Sequence, residues 1–140
     1  MAQGDGAIYN EFKEELLLGN IDMDGHTFKV MLVTGYTPNI DSHNGYADVS
    51  AQEESGTGYT AGGATLAGKA VTKDTTNDRA KFDADDVTWT GLNVGTPSHA
   101  ILYDDTHASK TLAVYWEVTT ATNGGNYTLQ FGANGILLLT

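Results

Sequence analysis

The sequence TLAVYWEVTT at residues 111–120 alternates between two kinds of side chain with a period of two, and this period decides the fold. One face would carry Leu112, Val114, Trp116 and Val118, and the opposite face Thr111, Ala113, Tyr115, Glu117 and Thr119. The segment therefore predicts a half-buried β-strand.

Six further segments are rich in β-branched or aromatic residues and are bounded by Gly, Asn, Asp or Pro. They are TFKVMLVT (27–34), ATLAGKAVT (64–72), AKFDADDVTWT (80–90), HAILYDD (99–105), NYTLQF (126–131) and GILLLT (135–140). Asn-Gly pairs at 44–45, 123–124 and 134–135 are typical of tight turns with positive φ. Roughly seven or eight short strands at this spacing predict a mainly β protein, an antiparallel β-sandwich or a jelly-roll-like barrel.

One segment has the helical period instead. Ile8, Phe12 and Leu16 recur at every fourth position, Asp5 can cap the start, and Gly19 stands where a helix C′ residue is expected. We therefore expect one short N-terminal α-helix at about residues 6–18, ahead of the strands. No linker or internal repeat interrupts the chain, so residues 1–140 are predicted to form a single domain.

The charge balance excludes several classes of partner. The chain has 18 Asp and Glu against 7 Lys and Arg, a formal net charge of −11. Nucleic acids and anionic membrane surfaces are bound through cationic side chains, so neither is an expected partner. The N-terminal sequence has no basic region and its apolar run is broken by charges, so it is interpreted as neither a signal peptide nor a membrane span. We expect synthesis in the cytoplasm.

The glycine-rich stretch EESGTGYTAGGATL (53–66) raises the possibility of a phosphate-binding loop. Such a loop needs a preceding apolar strand and a following helix whose N-terminus meets the phosphate. Here the preceding residues are polar and acidic, and the following ones favour a strand. The stretch is therefore interpreted as a structural loop between strands, and no cofactor is expected.

No pattern requires catalysis. Asp83, Asp85 and Asp86 are weak candidates for calcium, because oxygen ligands suit that ion, but a solvated acidic face is the preferred interpretation. The four histidines form no zinc motif, and the adjacent pairs Ser42-His43 and Ser98-His99 do not by themselves make a nucleophile and base. We predict no catalytic residues and no enzymatic activity.

Aromatic residues leave two interpretations open. Trp89, Trp116, Tyr36, Tyr46 and Tyr59 could line a sugar-binding face or could pack in the core. Aromatic residues in strands more often belong to the core, so that interpretation is preferred.

The closing GILLLT places leucines on both faces of a strand. This requires either a central strand covered on both sides or burial of one face by another subunit. We therefore predict contacts with another protein subunit at Ile136, Leu137, Leu138 and Leu139, together with the N-terminal segment that contains Ala2 and Gln3.

Several long segments resemble a known family. They are IYNEFKEELLLGNID, FKVMLVTGYTPNID, ESGTGYTAGGATLAGKAVT, FDADDVTWTGL, HAILYDD and NGGNYTLQFGANGILLLT, in order from about Ile8 to Thr140. They resemble small virion structural proteins encoded among the head and tail genes of tailed bacteriophages.

This resemblance implies a capsid decoration, or cement, protein on the outer surface of the virion head. Its expected partners are the phage major capsid protein and itself, as a homodimer or homotrimer. The alternatives are a neck or tail component and a carbohydrate- or receptor-binding module on the virion. The family implies no catalytic residues.

Overall fold

The structure is a computed structural model that describes residues 6–140, so Asp5 and the predicted contacts Ala2 and Gln3 lie outside the described residues. Within them, ten strands and two helices follow one another. They are β1 (Ala7–Ile8), α1 (Asn10–Leu17), β2 (Phe28–Val33), α2 (Tyr46–Val49), β3 (Ala64–Thr65), β4 (Ala70–Asp74), β5 (Arg79–Asp83), β6 (Val87–Trp89), β7 (His99–Asp104), β8 (Leu112–Glu117), β9 (Tyr127–Leu129) and β10 (Leu137–Leu139), with a 3₁₀ turn (Ser50–Gln52) after α2.

The strands form three antiparallel sheets. The main sheet has the order β1-β8-β7-β2-β3, a second sheet has the order β10-β5-β4, and β6 pairs with β9. The rings of Phe28 in β2 and Phe82 in β5 lie 5.8 Å apart, and those of Trp116 in β8 and Phe131 after β9 lie 5.4 Å apart. The smaller sheets therefore pack on the main one, and the mainly β, sandwich-like fold with a short helix is confirmed.

Aromatic residues from the helix and loops cover the other face of the main sheet. Tyr9 contacts Tyr115 edge-on at 5.6 Å, Tyr36 contacts His99 at 5.3 Å, and Tyr46 contacts Tyr103 at 5.2 Å. The main sheet is thus enclosed on both sides, which explains why five of the six residues in β2 are buried.

The prediction of a half-buried strand at 111–120 is wrong at its start. Thr111 and Ala113, assigned to the outer face, are fully buried. The segment before α1 covers this part of the strand: it pairs with β8, and the Tyr9 amide donates to the Ala113 carbonyl at 3.1 Å. Only further along, at Glu117 and Thr119, does this face become exposed.

The helix is shorter than predicted. It begins at Asn10 rather than near residue 6, because Ala7 and Ile8 pair with Tyr115 and Val114 as strand β1. Its end matches the prediction, since Gly19 has a φ of +77° and its amide donates to the Leu16 carbonyl at 3.2 Å. That geometry is a Schellman-type C-cap, which favours glycine.

Two predicted strands are each divided. The segment 64–72 separates into β3 and β4 around Gly68, which has a φ of +64°, and 80–90 separates into β5 and β6. The two breaks face each other, because the Asp85 amide donates to the Ala67 carbonyl at 2.9 Å.

The predicted tight turns are correct at two of three places. Gly124 and Gly135 have positive φ, whereas Gly45 has a φ of −131° and instead precedes helix α2. In addition, residues 135–140 do not form a central strand, because β10 lies at the edge of its sheet with β5 as its partner.

Candidate interaction surface

The predicted contact residues at the C-terminus have very different exposures. Ile136 and Leu137 are buried within the chain at 6% and 9% exposure, and Leu138 is partly buried. Leu139 is 63% exposed. Of these four residues, Leu139 is therefore the one with most of its side chain available to a partner.

An apolar groove runs beside Leu139, between helix α1 and the three-stranded sheet. It has a volume of about 210 Å³ and is lined by Leu16, Met23, Val71, Ala80, Lys81, Phe82, Leu137 and Leu139. Strand register explains which side chains meet there. Val71, Phe82 and Leu137 are directly paired across the sheet, as are Lys73, Ala80 and Leu139, so these side chains share one face.

Only part of that face is covered. Phe82 packs on Phe28 and is buried, whereas its partner Val71 on the edge strand β4 is 52% exposed. Leu139, two residues beyond Leu137 on β10, is 63% exposed. We call the apolar residues Val71, Ala80 and Leu139 the overhang. Leu17 and Leu18, at the end of α1 and after Leu16 of the groove, are 89% and 63% exposed.

Positive charge is concentrated in the segment that includes β4 and most of β5. Residues 69–81 contain four of the seven Lys and Arg residues of the chain (Lys69, Lys73, Arg79 and Lys81) and two Asp (Asp74 and Asp78). This segment therefore carries a net charge of +2 and the rest of the chain −13. The wall formed by α1 and the loop after it, residues 10–24, contains five acidic residues and one lysine.

A smaller groove joins the two predicted contact regions. Gly6 and Ile8 line it together with residues 135–138, and its volume is about 170 Å³. The first described residues of the chain thus lie beside β10. Ala2 and Gln3 themselves lie outside the described residues, so the predicted contacts of the N-terminal segment stay a prediction.

The three calcium candidates do not converge. Asp83 accepts from the amide of Ala84 at 2.9 Å and lies 3.8 Å from Lys81, while Asp86 accepts from the Phe131 amide at 2.9 Å. Asp85 lies over Gly68. No group of three or more His, Cys, Asp or Glu residues within the described chain is arranged to hold a metal ion.

Ser98 and His99 do come together, but in a structural arrangement. The Ser98 hydroxyl lies 3.1 Å from His99 Nδ1, and Glu117 is the cross-strand neighbour of His99. The same hydroxyl also accepts from the Tyr36 amide at 3.2 Å and donates to the Val33 carbonyl at 3.2 Å. Burial lowers the pKa of His99. The serine thus joins two chain segments and is not held free for attack on a substrate.

The glycine-rich loop follows the expected structural interpretation. Gly63 has a φ of +83°, and a Cβ there would lie 2.0 Å from the Val30 carbonyl oxygen, so the loop backbone rests directly on β2. Sequence reasoning missed its anchor, Glu53. This carboxylate accepts from the Gly62 amide at 2.6 Å, from the Tyr59 hydroxyl at 2.8 Å and from the Tyr46 hydroxyl. Burial and the contact with Glu53 raise the pKa of Tyr46 to about 12.

Glu54 is the second acid that sequence reasoning missed. It is 7% exposed, and its Oε1 atom has no hydrogen-bond partner among the described residues. Its amide donates to the Leu32 carbonyl at 2.8 Å, which places it beside β2. Burial raises the pKa of its carboxyl group. Consecutive glutamates before a loop gave no signal that one of them enters the interior.

The aromatic candidates for a sugar platform are mostly core residues. Trp89, Trp116 and Tyr36 are 4–6% exposed. Tyr46 and Tyr59 are partly buried, and both donate their hydroxyls to Glu53. The preferred interpretation of these residues as core is therefore confirmed for the first three.

Comparison with known proteins gives no relative. Neither the family models, nor the curated proteins, nor the solved structures contain a match to this chain. Within residues 6–140, no helix combines the length and hydropathy that a bilayer span requires.

Proposed function

We propose that this chain is a structural protein of a tailed-bacteriophage virion, a capsid decoration protein that stabilises the head shell through non-covalent contacts. The observation that carries the proposal is the overhang. Large apolar side chains are exposed at Val71 and Leu139 in a fold whose main sheet is enclosed on both sides. Contiguous exposed apolar patches mark contacts with another protein, and Val71 and Leu139 line one apolar groove.

The charge of the chain suits this role. A decoration protein covers a shell at high local concentration, and a net charge of −11 keeps copies soluble and prevents unspecific association. The virion setting rests on the sequence resemblance. The proposed partners are the major capsid protein and other copies of this chain, on the outer surface of the head.

A carbohydrate-binding role has less support from the described residues. A sugar platform needs aromatic rings open to solvent, and Trp89 and Trp116 are 5% and 4% exposed. A glycan array with the isolated protein tests this alternative directly, since saturable binding would favour a receptor-binding role over a purely structural one.

The decisive test is the copy number in purified particles that carry this protein, measured by quantitative mass spectrometry against the major capsid protein. Decoration of the head predicts copies in a fixed ratio to capsid subunits. A count of roughly six or twelve, matching the symmetry of a tail or neck, would contradict the head assignment.

A binding experiment with shells tests the contribution of individual residues. Shells stripped of the protein should bind the purified chain in co-sedimentation, and the shells should then melt at a higher temperature. Leu139→Asp, in the overhang, should bind more weakly, whereas Ala121→Asp adds the same charge at an exposed loop position between β8 and β9 and should bind as the unmodified chain does. Absence of binding by the unmodified chain to stripped shells would count against the proposal.

A further inference from the structure

We propose that Asn123 is a site of spontaneous deamidation, in which the backbone of the chain itself converts the side-chain amide into a carboxylate. The reaction needs neither a shell nor a partner chain, so it is independent of the proposed function. Asn44, Asn123 and Asn134 each precede a glycine. Because glycine has no Cβ, its backbone nitrogen is open to approach by the preceding side chain, which makes these three asparagines the candidates.

The attacking group is the backbone nitrogen of Gly124, after it has lost its proton to hydroxide. A bond forms between this nitrogen and the side-chain carbonyl carbon of Asn123, and the side-chain nitrogen takes a proton from water and leaves as ammonia. The product is a cyclic succinimide. Water then adds to either of its carbonyls and opens the ring, which gives aspartate or isoaspartate and adds a negative charge to the chain. No oxidant or reductant is required.

The hydrogen bonding of the Asn123 side chain favours this attack. Its Oδ1 atom accepts from the Gly125 amide at 2.9 Å. The donor directly follows the attacking residue, so this bond folds the side chain back over Gly124 and keeps the carbonyl carbon near the nitrogen. The same bond stabilises the negative charge that develops on Oδ1 during the attack.

The surroundings of Asn123 leave room for ring closure. Asn123, Gly124 and Gly125 are all exposed, and a Cβ built at Gly124 would have no atom within 4 Å. The Gly124 amide must first leave its bond to the Leu92 carbonyl, which measures 2.8 Å. In an exposed loop such a bond opens by a local fluctuation, without unfolding of a sheet.

Asn44 is protected by its surroundings. Gly45 is buried, and a Cβ there would lie 2.3 Å from the Ser109 carbonyl oxygen. The amides of Asn44 and Gly45 both donate to the Asp48 carboxylate, at 2.8 and 3.0 Å. Loss of the Gly45 proton would place a second negative charge beside this carboxylate, so the attacking nitrogen rarely forms.

Asn134 is held by a different strand. Its Oδ1 atom accepts from Arg79 of β5 at 3.2 Å, and a Cβ at Gly135 would lie 2.8 Å from the Phe82 carbonyl oxygen. The next amide, that of Ile136, donates to the same oxygen at 2.8 Å. Ring closure at Asn134 would therefore disturb the attachment of β10 to β5.

The first experiment is peptide mapping by mass spectrometry after incubation of the full-length chain at mildly alkaline pH. In the folded protein, Asn123 should react at least about tenfold faster than Asn44 and Asn134. In concentrated urea the three should react within about threefold of one another, because the dipeptide is the same and no fold holds it. The unfolded chain thus separates the effect of the fold from that of the Asn-Gly sequence.

Variants identify the product. Asn123→Asp should mark the elution position of the aspartate form in ion-exchange chromatography. Asn123→Gln should not form the acidic species, because its longer side chain closes a less favourable ring. Asn134→Gln is the matched control and should form that species at an unchanged rate. By hydrogen exchange, the Gly124 amide should open at least about tenfold more often than the amides of Gly45 and Gly135.

Each outcome decides the inference. Reaction of Asn44 or Asn134 as fast as Asn123 in the folded protein would overturn it, as would an acidic species that persists in Asn123→Gln. Reaction of Asn123 in urea but not in the folded chain would also overturn it, because the bond between Gly124 and Leu92 would then protect this site as the other two are protected.

Discussion

The main sheet and the three-stranded sheet contain the same kinds of apolar residue but differ in what covers them. Val30 and Leu102 of the main sheet are fully buried, whereas Val71 and Leu139 of the smaller sheet are 52% and 63% exposed. The difference shows that apolar residues in a strand can lie either in the core or at the surface of the chain. Coverage by neighbouring elements decides which.

The two sheets also differ in how charge is handled. Lys29 and Lys110, on and beside the main sheet, both pair with Asp105, and these contacts lower the pKa of that carboxyl group. On the smaller sheet, Lys73 is exposed on the same face as Leu139. The main sheet is thus enclosed and the smaller one carries the surface proposed for contact, a contrast that matched substitutions in the two regions can test.

The largest contrast is expected for leucine truncation. Leu102→Ala should lower the free energy of unfolding by about 2–5 kcal/mol, because it leaves a cavity in a region enclosed on both faces. Leu139→Ala should change it by no more than about 0.5 kcal/mol, because that side chain is already largely in water. Urea unfolding of both variants measures the difference. Similar losses would show that the overhang is part of the core.

Glycine substitution gives the next contrast. Gly63→Ala should lower the free energy of unfolding by about 2–4 kcal/mol. The backbone at Gly63 is left-handed, and the added Cβ would lie 2.0 Å from the Val30 carbonyl oxygen. Gly135→Ala at the start of β10 should cost less, because its Cβ would lie 2.8 Å from the Phe82 oxygen at the more open sheet.

Gly95→Ala is the control for backbone strain alone, because Gly95 has a φ of +90° and a Cβ built there would have no atom within 4 Å. The substitution should lower the free energy of unfolding by about 1–2 kcal/mol. Thermal unfolding of the three variants ranks them. Equal losses at all three glycines would contradict the argument that the 53–66 loop rests on β2.

Strand periodicity made much of the fold predictable. The segments around β2, β7, β8 and β9 lie within one to three residues of their predicted bounds, because alternating patterns and β-branched residues reflect the pleat directly. Gly19 likewise marked the end of α1. The start of α1 was missed because pairing of Ala7 and Ile8 with β8 is a tertiary contact, and the helical period at Ile8 carries no trace of it.

The candidate surface was predictable only in outline. Three consecutive leucines indicated a strand with apolar groups on both faces, and Leu139 is indeed exposed, yet Ile136 and Leu137 pack within the chain. Val71 gave no signal, since its exposure depends on the position of β4 at the edge of the smaller sheet. Glu53 and Glu54 were unpredictable for a similar reason, because neighbouring identical residues point to opposite sides of an extended segment.

A smaller contrast separates the polar contacts of the two regions. Glu53→Gln should cost about 1.5–3 kcal/mol, because the carboxylate accepts from Gly62, Tyr59 and Tyr46 beside the main sheet. Asp74→Asn removes the ion pair with Arg79 at the turn of the smaller sheet and should barely move the urea midpoint. Hydrogen exchange at the Gly62 amide should accelerate in the first variant and not in the second; unchanged exchange in both would refute the anchor role of Glu53.

The smallest effect concerns the charge enclosed beside β2. Burial raises the pKa of Glu54, so the folded protein is more stable when this carboxyl group is neutral. That stability is fully present below the ordinary pKa of 4.5 and is lost as the pH rises through the folded-state pKa. Glu54→Gln keeps the shape without the charge and should therefore stabilise the protein at pH 7.5, by about 0.5–1.5 kcal/mol. At pH 4 the gain should vanish. If the difference between the variant and the unmodified chain in urea unfolding did not change with pH, the Glu54 carboxyl would reach water. The region beside the main sheet would then be less enclosed than the contrast between the two sheets requires.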